Sequence, residues 1–303
     1  MKIVDSIESL RKWVAENKAN HQTVGFVPTM GFLHEGHMSL VDAAKNRADV
    51  VVMSIFVNPL QFGPTEDLDR YPRNLERDQQ MAEARGVDLL FVPTVEEMYP
   101  QAVKTVIHVS GVTERLCGAS RPGHFDGVAT VVCKLFNMVQ PDFAFFGEKD
   151  AQQVAVIQQM VYDLNLPIEI VPCPIVREKD GLAMSSRNVY LNEEERKQAL
   201  SLSQALREAE QAYLDGRTPQ EVRQLMLEKI QAEPLAEIDY VELLSYPSLE
   251  PLESLESSSF ICALAVRFGK TRLIDNLIIL NKKGREKHVA YDDDRKNTPC
   301  YSN

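Results

Sequence analysis

The feature that most constrains this chain is an alternation. Between residues 23 and 176, short apolar runs rich in β-branched and aromatic side chains are separated by longer stretches of helical periodicity. The runs fall at residues 24–27, 50–57, 87–92, 105–109, 143–146 and 168–171. Runs that are apolar throughout are buried on both faces, which requires a mostly parallel sheet with helices covering each side. The clearest intervening helix follows Asp126, its expected N-cap, and places Val128, Val131, Val132, Leu135, Phe136 and Val139 at core-facing spacing.

Beyond residue 176 the pattern changes. A loop is followed by a charged helix over residues 193–215, a second helix over 219–232, and strands near Tyr240, Ile261 and Ile278. Helices followed by consecutive strands read as a smaller α+β unit. The expected fold is a Rossmann-like, doubly wound parallel-sheet α/β domain over residues 1–180 and a smaller α+β C-terminal domain over 181–280. Over residues 281–303 charges crowd and apolar residues thin out, so a disordered tail is expected there.

With 303 residues, 44% of them hydrophobic, such a core can be filled. The formal charge of −11 argues against a surface that coats nucleic acid, since phosphate-backbone binding needs a basic face. Cys117, Cys133, Cys173, Cys262 and Cys300 are scattered and never form a Cys-x-x-Cys pair, so neither a disulfide framework nor a zinc knuckle is expected. Asp5, Glu8, Arg11 and Lys12 leave no apolar region for a secretory leader, and the longest apolar run, 50–57, is too short to span a bilayer. A cytoplasmic protein with no membrane partner is the expectation.

Polar residues gather where the apolar runs end. The first run leads into Met30-Gly31-Phe32-Leu33-His34-Glu35-Gly36-His37 and then a helical pattern. A glycine-bearing turn from strand to helix favours anions, because helix N-terminal amides point at the ligand and the backbone can approach closely. His34 and His37, three residues apart, can face one side and donate to phosphate oxygens as charge develops. The same spacing fits two capping histidines, or a metal-binding pair for which no third ligand lies nearby in sequence.

Asn58-Pro59-Leu60-Gln61 closes the second run, and neutral amides there can hold hydroxyl and carboxylate oxygens. Residues 66–73 read as a solvated loop with ion pairs. Arg121 either stabilises a phosphate or holds a loop. Gly147-Glu148-Lys149-Asp150 joins the run at 143–146 to another helix, with Lys149 placed to neutralise phosphate and Asp150 to cap the helix or bind a ribose hydroxyl. In the loop between domains, Met184-Ser185-Ser186-Arg187 offers two hydroxyls and a guanidinium fork that can close over a triphosphate.

The Thr-Met-Gly-x-Leu-His-x-Gly-His string at 29–37, paired with Met-Ser-Ser-Arg at 184–187, resembles the nucleotidyltransferase superfamily. That superfamily includes class I aminoacyl-tRNA synthetases, with related His-x-Gly-His and Lys-Met-Ser-Lys-Ser signatures. Val-Asn-Pro-Leu-Gln-Phe-Gly at 57–63, Arg-Pro-Gly-His-Phe-Asp-Gly-Val at 121–128 and Phe-Gly-Glu-Lys-Asp at 146–150 complete an ordered set. The whole set is similar to the pantothenate synthetase (pantoate–β-alanine ligase) family, over residues 2–280.

The resemblance implies ATP-dependent condensation of (R)-pantoate with β-alanine through pantoyl adenylate, releasing AMP and pyrophosphate, with Mg2+ carried by ATP. It implies ATP contacts from Met30, Gly31, Phe32, Leu33, His34, Glu35, Gly36 and His37. Further ATP contacts follow from Gly147, Glu148, Lys149 and Asp150, from Val176, and from Met184, Ser185, Ser186 and Arg187. Gln61 and Gln153 would hold pantoate with Asn58 supporting them, and Gln61 would also lie beside β-alanine. His37 matches the family's proton donor, and His34, Lys149 and Arg187 complete the catalytic set; no protein metal site is implied. A homodimer through the N-terminal domain is also implied. Against an enzyme that adenylates a phosphate-bearing acceptor stand the neutral Gln61 and Gln153, which suit hydroxyl and carboxylate groups. Against a non-catalytic nucleotide sensor stands the set of cations and histidines aimed at transition-state charge.

Overall fold

A computed structural model describes residues 1–64, 66–252, 254–255 and 259–280; the tail expected over 281–303 lies outside them. Six strands, β1 (Lys2–Val4), β2 (Val24–Thr29), β3 (Val50–Ile55), β4 (Leu89–Phe91), β5 (Phe143–Gly147) and β6 (Glu169–Cys173), form one sheet in the order β1-β4-β3-β2-β5-β6. Every pairing in it is parallel. The connecting helices are α1 (Ile7–Ala19), α2 (Glu35–Lys45), α3 (Leu75–Ala84), the single turns α4 (Val95–Met98) and α5 (Cys117–Ser120), α6 (His124–Val139) and α7 (Ala151–Asp163).

Because successive strand residues point to opposite faces, each strand feeds two cores. Phe26, Val52 and Phe91 pack with Leu10 and Val14 of α1 and with Val132 and Phe136 of α6. Val27, Met53, Leu90 and Phe145 pack on the other side with Met38 and Val41 of α2 and Ala82 of α3. Phe136 meets Phe26 and Phe146 edge-on, at 6.4 and 6.3 Å between ring centroids. From β2 the chain proceeds to β3 and β4 on one side, and β5 then returns to β2's other edge. The crevice beyond the carboxyl ends of β2 and β5 is thus the topological switch point, where open α/β sheets bind ligands.

The C-terminal part packs α8 (Glu193–Leu214) and α9 (Pro219–Gln231) on an antiparallel meander of β7 (Ala236–Ser245), β8 (Phe260–Phe268) and β9 (Thr271–Ile279). Capping boxes start both helices, Asn192 with Glu195 and Thr218 with Glu221. Among the described residues, no helix is long and apolar enough to cross a membrane.

Three local expectations change. The run at 105–109 forms no strand: Val103 and Val106 are exposed, and Ile107 N–H donates to Thr130 Oγ1 rather than to a ladder. The extra strand is instead β1, which has one buried residue, Val4, and so carries almost no apolar signal. Asp126 is not the N-cap of α6. The chain enters that helix through Gly123 in the left-handed region at φ 80°, which leaves Asp126 in the first helical turn, bonded to His108 Nδ1 at 2.9 Å.

Candidate active site

The turn after β2 is built from a hydroxyl and a carboxylate. Thr29 Oγ1 donates to Ser54 O at 2.8 Å and accepts Gly31 N–H at 3.2 Å. Gly31 and Phe32 then take positive φ, 81° and 49°, a strained path for a phenylalanine. Asp78 of α3 holds that path, accepting Phe32 N–H and Leu33 N–H at 2.7 Å each. Burial pushes the Asp78 carboxyl pKa up against the pull of these amides and of Arg77. Sequence reading passed over Asp78. Its signal is a carboxylate four residues from Ala82 on the buried face of α3.

His34 is the N-cap of α2, and its backbone N–H donates to His37 Nδ1 at 3.2 Å. An accepting Nδ1 leaves the proton of neutral His37 on Nε2. The two rings stack at 4.0 Å, and His34 Nδ1 is buried without a hydrogen-bond partner. Burial, then the charge of Lys149, then Arg77, lowers His34 to about 4. Burial, His34 and Lys149 hold His37 well below the ordinary histidine value. Both shifts favour the neutral rings at pH 7, each of which carries one N–H. Glu35 turns away from them and pairs with Arg85, while Leu33 is fully buried in the core.

Beyond β3, Asn58 opens a single turn over Pro59–Gln61. Its side chain is committed to protein: Nδ2 donates to Gln61 Oε1 (3.2 Å) and Gly127 O (3.1 Å), and Oδ1 accepts Tyr99 O–H (2.9 Å) and Leu60 N–H (3.3 Å). Asn58 thus orients Gln61, whose Nε2 donates to Met30 Sδ at 3.0 Å. Helix α6 presses against this turn through Gly127, where a Cβ would lie 2.3 Å from Leu60 O. Gln153 lines the cavity, whereas Gln152 is buried and ties the 112–117 segment through Cys117 N, Val112 O and Arg115 O.

Arg187 meets Asp67 in a two-pronged ion pair at 2.8 and 2.9 Å, with its guanidinium 5.7 Å from the Tyr71 ring centroid. Burial opposes ionisation of Asp67, yet the hydrogen bonds and charge of Arg187 outweigh it and hold the carboxyl below its ordinary value. Arg121 pairs in the same way with Glu66 and donates to His124 Nε2 at 2.9 Å; His124 Nδ1 donates to Gln61 O at 2.8 Å. The loop at 66–73 is accordingly tied to the site through its acids. Lys149 is less engaged, its nearest carboxylate being Asp150 at 3.9 Å.

Met30, His34, Gly36 and His37 share one cavity of about 230 Å³ with Asn58, Gln61 and Gln153. Gly147, Lys149, Asp150 and Val176 line it too, as do Met184, Ser185, Ser186 and Arg187. Gly31, Phe32, Leu33, Glu35 and Glu148 are not among its walls. Through Arg121, Lys149, Gln153 and Arg187 it shares walls with a cleft of about 1020 Å³ that reaches the β8–β9 face. Among the described residues, no group of three or more His, Cys, Asp or Glu is arranged to hold a metal ion. The arrangement sets neutral N–H donors and cations at the sheet's switch point and neutral amides beside them, which suits an anionic phosphate next to a polar acid.

The chain matches the family described as pantoate-beta-alanine ligase over residues 2–278. The pantothenate synthetase of Acetivibrio thermocellus is 55% identical over 280 residues, covering 92% of this chain and 99% of the relative. That of Pelotomaculum thermopropionicum is 56% identical with the same coverage. Among solved structures, the pantothenate synthetase of Thermus thermophilus superposes with a TM-score of 0.86 at 48% identity, over 91% of this chain and 99% of the other. The pantoate-beta-alanine ligase of Francisella tularensis, complexed with beta-gamma ATP and beta-alanine, gives 0.76 at 35% identity, over 92% and 97%. Matched along nearly all of its described length, this chain belongs to the pantoate-beta-alanine ligase family.

Proposed function

We propose that this protein condenses (R)-pantoate with β-alanine at the expense of ATP, forming pantothenate through pantoyl adenylate. The observation that carries the reading is the meeting of His34, His37 and Lys149 with Gln61 and Gln153 on one cavity. A carboxylate is a poor electrophile. Its oxygen must first attack the α-phosphorus of ATP, breaking the bond to pyrophosphate; the β-alanine nitrogen then attacks the activated carbonyl, and the bond to AMP breaks as the nitrogen loses a proton.

In the first step negative charge grows on the α-phosphate and the departing pyrophosphate. Neutral His34 and His37 supply N–H donors there without the desolvation cost of a buried imidazolium, and Lys149 supplies the positive charge. Arg187 joins by exchanging the Asp67 carboxylate for phosphate oxygens. Gln61, oriented by Asn58, and Gln153 hold the hydroxyl and carboxylate of pantoate, with Gln61 also beside β-alanine. Mg2+ enters as part of the substrate, chelated by the triphosphate.

The same reading divides the chain into a nucleotide- and pantoate-binding unit over 1–180 and a lid over 181–280. It places the protein in the cytoplasm, in keeping with the free thiols of Cys117, Cys133 and Cys262. It makes the protein a homodimer, for which the exposed Val103 and Val106 of the N-terminal unit provide apolar surface. The test of the reaction is pantoate-dependent exchange of labelled pyrophosphate into ATP without β-alanine. Exchange is expected; its absence from protein that still makes pantothenate would remove the adenylate.

A further inference from the structure

Two adjacent buried residues of β9 tie the phosphate-facing loops to the C-terminal sheet. Asn276 Nδ2 donates to the carbonyls of Glu148 and Lys149, both at 2.9 Å. Asp275 accepts both terminal guanidinium nitrogens of Arg177, at 2.6 and 3.0 Å, and its Oδ1 also accepts Asn276 N–H at 2.8 Å. Arg177 donates in turn to Gly181 O at 3.2 Å, and its backbone bridges to Ala183, closing the hairpin that delivers Met184, Ser185, Ser186 and Arg187. Asp275 is 2% exposed and Asn276 5%.

The turn that carries Lys149 is three residues of 3-10 helix, too short to fix itself, and Asp150, the N-cap of α7, makes no side-chain cap bond. The Asn276 amide anchors it from outside, its two N–H groups matching two successive carbonyls. A carboxylate at this place would face carbonyl oxygens with no donor, and an apolar side chain would remove both donors. We infer that Asn276 is a positioning residue for Lys149, and Asp275 the corresponding one for the loop at 184–187. One strand then sets the spacing between the two cationic loops across the nucleotide. The inference rests on the reading that Lys149 faces the phosphates of ATP.

Calorimetric titration of the full chain with ATP and, separately, with adenosine tests it. Asn276→Ala is expected to weaken ATP about tenfold, the scale of a sub-ångström displacement of a charged group, while adenosine affinity stays within about twofold. Lys149→Gln should weaken ATP as well, and adding Asn276→Ala to it should then cost nothing further, because the two act through one cation. Asp275→Asn, acting through the other loop, should keep its own penalty in the Lys149→Gln background. Equal losses for ATP and adenosine, or additive losses in the Asn276/Lys149 double variant, would overturn the inference. A Lys149→Gln variant that binds ATP like the parent would instead strike the assignment of Lys149 itself, and the inference with it. Should Asn276→Ala fail to fold, Asn276→Ser, which retains one donor, is expected to show a smaller ATP-specific loss; none, in folded protein, counts against the role.

Discussion

At the scale of single residues, the proposed adenylation relies on neutral histidines. His37 donates from Nε2 because its Nδ1 is occupied by His34 N–H. His37→Ala should lower the rate of pyrophosphate exchange by about a hundredfold, the usual loss for one transition-state donor, with little change in ATP affinity. Equal exchange rates in parent and variant would refute the role. His34 adds a pH dependence. Its pKa falls from 6.5 to about 4 on folding, so between these values the unfolded chain binds a proton that the folded one does not. Stability is therefore lost as pH drops through that window, by on the order of 2 kcal/mol at pH 5 for this one group. Thermal denaturation from pH 7 to pH 5 should show a fall in Tm that is shallower in His34→Asn. His124, lowered to about 4 chiefly by burial and then by Arg121, slopes the same way in both proteins, whereas His37 is held down in part by His34, so the difference reports the stacked histidine pair.

Elements bring these residues together by close approach. Helix α6 can lie against the Pro59–Gln61 turn because residue 127 lacks a side chain. Gly127→Ala would put a methyl group 2.3 Å from Leu60 O, so the turn must shift and carry Gln61 with it. The expected result is a rise in the KM for pantoate larger than that for ATP, with about 1–3 kcal/mol lost in denaturant unfolding. A variant with pantoate KM unchanged would show that α6 does not set the position of Gln61. The sequence made the strand ends legible, since a buried parallel strand must be apolar and the glycine, histidine, asparagine and lysine clusters stand directly after such runs. It also made α6 legible through its apolar spacing, and the extents of α8 and α9. It hid whatever depends on partners far along the chain: Asp78 clamping Phe32 and Leu33, Asp67 on Arg187, Asn276 beneath Lys149. It misled at 105–109, where Ile107 and Val109 pack on the core without joining the sheet, and at Asp126, where Gly123 supplies the helix entry.

On the scale of the whole molecule, an acidic protein of net charge −11 holds Arg121 and Arg187 in the walls of its cavity by pairing each with one of its own acids. The Arg187 and Asp67 side chains are 29% and 16% exposed, so the pair is largely shielded from water. Asp67→Asn removes the anion and leaves the guanidinium under-compensated, a loss of about 1–3 kcal/mol for the protein alone. ATP would meet an arginine with no carboxylate to displace, and its phosphate would restore the missing partner. Ligand binding to the folded state raises stability in proportion to the logarithm of its affinity, so the two effects are linked. Asp67→Asn should melt below the parent without ligand, yet gain more than the parent on saturation with MgATP, and calorimetry should show tighter ATP binding. A ligand-induced gain in Tm equal to or smaller than the parent's would mean that Asp67 and the nucleotide do not compete for Arg187.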